Sequence, residues 1–203
     1  MSGHETGLTP VARNQSLATQ TRVRPGAEVL VEGELSPFEH ERIFQILKKR
    51  FTVSQPSYVE LSDENLATRI NITFRHQYDS SFFTQVFREG WRDLKGILKE
   101  VRHRRGGAGA AFVLVFAHDS TKLVFKIGLL DSDQVSSALD QIGHLTSIVK
   151  KIADSWTAKE PLGVFECIFD GRTDRWHEFR GHGFSGQPSL RFDEEKFVWT
   201  TAK

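Results

Sequence analysis

The sequence predicts an α+β fold, a two-layer sandwich in which three helices cover one face of a mainly antiparallel sheet. Three observations carry that expectation. Apolar side chains recur at three-and-four spacing over residues 80–105 and again over 131–156, as two core-facing helices require. Between them Ala110 to Phe116 is an unbroken apolar run, the pattern of a central strand. The remaining β-branched segments are short, alternate apolar with polar residues, and are bounded by Gly, Pro, Asp and Ser.

Residues 1–26 are rich in Ser, Thr, Gly, Asn, Gln and Arg and show no apolar period, which predicts a disordered tail ahead of a single domain at 27–203. Residues 28–35 read as a strand. Ser36-Pro37-Phe38-Glu39 then offers an N-cap, a first-turn proline and a capping-box glutamate for a helix running to Arg50, with Ile43, Ile46 and Leu47 inward. Residues 57–61 read as a strand and 62–65 as a turn. Over 67–75, Ile70, Ile72 and Phe74 alternate with Arg69, Asn71, Thr73 and Arg75, a strand with one wet face.

The helix over 80–105 carries the stripe Phe83, Phe87, Trp91, Leu94, Ile97, Leu98 and Val101, and Arg104-Arg105-Gly106-Gly107-Ala108-Gly109 stops it. A polar turn at His118-Asp119-Ser120 joins the central strand to a partner bearing Leu123, Phe125 and Ile127. Asp131 and Gln134 are spaced to cap the next helix, whose stripe is Val135, Leu139, Ile142, Leu145, Val149, Ile152 and Trp156. Residues 161–169 read as a strand, Asp170-Gly171 as a hairpin turn, 172–180 as its partner, 181–195 as a long loop and 196–201 as a last strand. Up to Phe116 the element order accommodates a ferredoxin-like βαββαβ unit.

Charge is balanced, with 27 Lys and Arg against 26 Asp and Glu, so a globally basic nucleic-acid binder is not indicated. The single cysteine, Cys167, excludes an internal disulfide framework, and its apolar run makes it a small buried hydrophobe rather than a nucleophile. No stretch approaches the roughly 20 apolar residues of a membrane span, and residues 1–9 lack the parts of a signal sequence. A cytoplasmic protein without a membrane partner is expected.

Four motifs fail tests of spacing or context. Gly106-Gly107-Ala108-Gly109 follows a helix and opens a strand, the reverse of a phosphate-binding loop. His177 and His182 are five apart in a strand-like stretch, whereas a zinc-protease helix needs them four apart. Gly183-Phe184-Ser185-Gly186 lacks the second glycine of a nucleophile elbow. His118-Asp119-Ser120 is turn chemistry, since adjacent turn residues rarely converge on one substrate atom. No catalytic residue, metal ligand or cofactor is assigned.

One charge pattern stands out. At about 100° per residue, Arg88, Arg92, Lys95, Lys99 and Arg102 fall along one flank of the apolar stripe and continue into Arg104 and Arg105, with Glu89, Asp93 and Glu100 on the other flank. These seven cations are the candidate binding residues. The expected function is a non-catalytic binding or regulatory module that joins a protein partner or a second copy of itself. One alternative is a nucleic-acid or nucleotide-phosphate binder using the basic flank, with Arg69 and Arg75 as sheet-face contacts. Another is an enzyme with its site in the loop 181–195, drawing on His177, Glu178, His182, Ser185 or Arg191.

Overall fold

The computed structural model describes residues 24–55, 67–158, 161–184 and 189–201. The expected strand at 57–61, the turn at 62–65, Ser185 and residues 1–23 of the expected tail lie outside them.

Among the described residues nine strands form one sheet: β1 Gly26–Glu32, β2 Thr52–Ser54, β3 Thr68–Phe74, β4 Ala110–His118, β5 Thr121–Ile127, β6 Leu162–Asp170, β7 Arg175–Gly183, β8 Leu190–Asp193 and β9 Val198–Thr201. Their spatial order is β2-β1-β3-β4-β5-β6-β7-β8-β9. The helices are α1 Pro37–Lys48, α2 Arg88–Arg105, α3 Ser132–Gln141 and α4 Thr146–Asp154. Inward residues from β1 and from β3 through β9 join side chains of all four helices in one apolar cluster, with Val53 of β2 packed against it. The α+β class and the placement of the helices on one face therefore hold.

Three features of the expected architecture are refined. The sheet is mixed: five of its eight neighbouring pairs run antiparallel, but β1–β2, β3–β4 and β5–β6 run parallel. Parallel neighbours need a crossover, and each of these pairs is joined through helix. The order β2-β1-β3-β4 places β1 between β2 and β3, so those two do not pair, and among the described residues the pairing of a ferredoxin-like unit is not made. The expected loop at 181–195 contains the end of β7 and all of β8.

Both long helices are broken, which gives four helices in place of three. The first opens with a π-helical turn at Phe82–Val86, closed by the Phe87 N–H donating to the Phe82 carbonyl at 2.8 Å. The wider turn brings both Phe82 and Phe87 into the core, where a uniform helix would have buried Phe83 and Phe87. The Phe87 ring then lies over Gly90, where an added Cβ would come within 2.0 Å of it. The second helix breaks at the 3-10 turn Ile142–His144, where the Tyr78 hydroxyl donates to the Ile142 carbonyl. Ser36 with Glu39 and Asp131 with Gln134 form the expected capping boxes.

Two predictions follow from packing. Leu114 is fully buried on β4 whereas Val113 faces the other way and is part-buried, so Leu114→Ala should cost about 2–5 kcal/mol and Val113→Ala much less, read from urea midpoints. Gly90→Ala should lower the melting temperature although alanine is the better helix former, because the Phe87 ring has no room to yield.

Candidate functional site

The cations of the α2 flank do not form a free ridge. Lys95 and Lys99 bind the two oxygens of Asp140 on α3 at 2.6 and 2.7 Å. Arg102 donates to the Leu130 carbonyl at 2.5 Å and to that of Gly106 at 2.9 Å, tying the helix end to the segment before α3. Arg104 pairs with Glu100 and lies 3.7 Å from Glu39, and Arg105 meets Glu39 at 2.9 Å. Among the described residues Arg92 pairs with its neighbour Asp93 alone, at 3.3 Å, and stays largely exposed. Arg88 has no ion pair among the described residues and lies beside Lys49 and Arg50 at the start of α2. Five of the seven candidate cations thus hold the helix layer together.

Glu39 is the most buried charge in that network. Burial pushes its carboxyl upward, but the Ser36 N–H and hydroxyl and the charges of Arg105 and Arg104 outweigh it and hold the group below its usual range. Asp140 is lowered in the same way, its partial burial outweighed by Lys95 and Lys99.

The C-terminal candidates lie elsewhere. His177, Arg180, His182 and Arg191 face the side of the sheet away from the helices, with Phe179, Gly181 and Phe192 inward. Glu178 sits at φ 54° where the β6–β7 register shifts. That bulge puts His177 and His182 on one face, although five residues of regular strand would have opposed them. Each has its own carboxylate: His177 Nδ1 is 2.7 Å from Glu194, and His182 Nε2 is 4.0 Å from Glu166. Glu178 pairs with Arg180 at 2.8 Å. No cluster of three metal-ligating side chains occurs among the described residues. Cys167 is fully buried, and burial together with the Glu166 charge pushes its thiol well up, so it stays protonated.

The surface that sequence reasoning missed is the outer face of the sheet. Among the described residues helices cover only the inner face, yet the outer face of the middle strands is aliphatic: half-buried Leu30, Val113, Val115 and Ile168, with buried Val124, point away from the helices. Cross-strand register aligns Leu30, Asn71, Val113, Lys126 and Ile168 in one row and Thr73, Val115, Val124 and Glu166 in the next. A trough of about 590 Å³ runs over β1, β3, β4 and β5 between Glu28, Glu32 and Arg69 on one side and Lys126 on the other. Two ion pairs border it, Arg69 with Glu32 at 2.9 Å and Lys126 with Glu166 at 2.6 Å. Asn71 Oδ1 is buried in the floor without a hydrogen-bond partner. None of the outward strand residues described is Phe, Tyr or Trp. The signal in the sequence was the run Ala110 to Phe116, apolar at successive positions and therefore on both faces.

The Glu39 network makes stability pH-dependent. A carboxyl held lower in the folded state contributes fully above its usual value of 4.5, and that contribution is lost as the pH falls through the folded value. Glu39→Gln should cost about 1–3 kcal/mol at neutral pH. The difference from wild type should shrink as the pH drops below 4.5, measured as urea midpoints across a pH series.

No helix among the described residues is long and apolar enough to cross a membrane. No protein-family model, curated protein or solved structure matches the chain.

Proposed function

We propose that the chain is a non-catalytic binding module that acts through protein contacts, docking a partner or a second copy on the outer face of its sheet. One observation carries the reading. A strand that is apolar at successive positions reads as one covered on both faces, and here no helix lies over the outward Val113, Val115 and Val124 of β4 and β5 among the described residues, the two β4 valines being half-buried. Aliphatic side chains bordered by two ion pairs favour a protein surface over single-stranded nucleic acid, which is read by stacking on exposed aromatic rings. A cytoplasmic setting belongs to the same reading, since the lone Cys167 is kept as a buried thiol. The nucleotide alternative has its best footing at Arg88 and Arg92, the two flank cations not held by another element.

The experiment is site-specific photocrosslinking in cells, with a benzophenone side chain at Val115 on the outer face or at Arg92 on α2. A protein adduct from position 115 and none from 92 is expected, whereas the opposite pattern would move the interface to the helix layer. Titration of the purified protein with short RNA and DNA at two salt concentrations should show no binding. Affinity that falls steeply with salt would report released counterions and favour the nucleic-acid reading instead.

A further inference from the structure

Two charges on the outer face have no ion pair among the described residues: Glu28 on β1 and Lys122 on β5, both pointing away from the helices. The cross-strand register fixes where they stand. From β1 to β5, one row is Glu28, Thr73, Val115 and Val124, and the row on one side of it is Leu30, Asn71, Val113 and Lys126. The row on the other side ends in Ala117 and Lys122, and Arg75 enters it because its N–H donates to the Gly26 carbonyl at 2.9 Å. Glu28 and Glu32 therefore lie one strand to one side of the parallel pair β3–β4, and Lys122 and Lys126 lie one strand to the other.

That layout is self-complementary under one symmetry and not under another. Two copies facing each other across this surface are related by a two-fold axis between the sheets. An axis running across the strands sets β1 on β1 and β5 on β5, acid on acid and base on base. An axis running along the strands, between β3 and β4, sets β1 of each copy on β5 of the other, and Glu28 then falls between Lys122 and Lys126 of the second copy. In the same arrangement β3 lies over β4. Arg69 and Arg75 then stand opposite Ala111 and Ala117, long side chains against short ones, and Asn71 and Thr73 opposite Val113 and Val115. A formal net charge of +1 adds little repulsion between copies.

Granted the outer face as the docking surface, we infer from this geometry that its occupant is a second copy of this chain, packed face to face about a two-fold axis along the β3–β4 boundary, with Glu28 of each copy received by the β5 lysines of the other. The four strands, seven residues long in β1, β3 and β5 and nine in β4, cover roughly 450 Å² at about 4.8 Å between strands and about 3.3 Å per residue. A standard interface buries about 800 Å² per partner. The dimer is therefore weak and concentration-dependent.

The test is sedimentation equilibrium of the full chain up to about 0.5 mM, the range in which a weak dimer forms. Wild type should self-associate, and Glu28→Lys or Lys122→Glu should each weaken the dimer about tenfold or more, since each sets like charges together twice about the axis. The double variant Glu28→Lys with Lys122→Glu should recover most of the lost affinity, because the exchanged charges attract again. Lys122 is exposed near the start of β5, so its variant does not put folding at risk. A wild type that stays monomeric up to the highest concentration overturns the inference, as does a dimer that neither single variant weakens or that the double exchange fails to recover. Monomeric wild type together with an adduct of a different protein at Val115 removes the second copy and leaves the outer face as the docking surface. No protein adduct from Val115 removes both.

Discussion

Phe116 is the ring on which the two layers are registered. It stands on the inward face of β4 and touches Phe74 at 5.2 Å, Phe82 at 5.0 Å, Tyr78 at 5.0 Å and Phe125 at 6.1 Å between centroids. Pairs of this kind add about 0.5–1.5 kcal/mol each beyond burial, and they also fix where a helix can pass. The chain accommodates Phe82 beside Phe116 by widening one turn to a π-helix, and it places Phe87 by ending that turn over a glycine. Three polar ends of aromatic residues complete the attachment. Tyr78 donates to the carbonyl of Ile142, Trp176 to that of Ala138 at 3.2 Å, and Trp199 to that of Ile152 at 3.3 Å. Each bond runs from the sheet side to a backbone oxygen of the helix layer, so α3 and α4 are held by direction as well as by apolar contact.

This arrangement explains which parts of the fold could be read from sequence. Period and capping are local, and both appear as expected: the inward stripes at Ile70, Ile72 and Phe74 and at Leu94, Ile97 and Leu98 are buried, and both capping boxes form. The helix breaks are not local. Nothing between residues 131 and 156 says that Tyr78 will take the Ile142 carbonyl from 64 positions away. Strand order is likewise a long-range property, since β1 pairs β2 in parallel only because α1 returns the chain to its outer side. Glycines inside the apolar stripes were the available clue. Gly90 and Gly181 both sit where a ring, Phe87 or Trp156, needs the space of a missing side chain.

The charge pattern on α2 was legible in the sequence, and its partners were not. Helical geometry correctly placed Lys95, Lys99 and Arg102 on one flank, but it could not show that α3 brings Asp140 and the Leu130 carbonyl to meet them. Nor could it show α1 presenting buried Glu39 to Arg105. A row of cations on a helix beside another helix is as well explained by interlayer pairing as by a ligand, and only the partner elements decide between them. The histidines of β7 carry the opposite lesson. Their spacing argued for opposed faces, and one bulge residue, Glu178, reversed it.

The outer face of β4 follows from a different kind of constraint. A strand with one wet face gains nothing from apolar residues at every position, as β3 illustrates with Arg69, Asn71 and Thr73 outward. β4 departs from that economy at Val113 and Val115, and β5 and β6 continue the departure at Val124 and Ile168. Covering the face would strand neither ion of two surrounding pairs, because Arg69 already has Glu32 and Lys126 already has Glu166. A buried ion without a partner costs several kcal/mol, so this prior pairing lowers the electrostatic penalty to docking an apolar protein surface there. Val115 and Phe116 are consecutive and face opposite ways, which puts the trough and the aromatic core on two sides of one strand. A polar substitution at Val115 therefore perturbs the outer face while leaving the ring cluster around Phe116 in place.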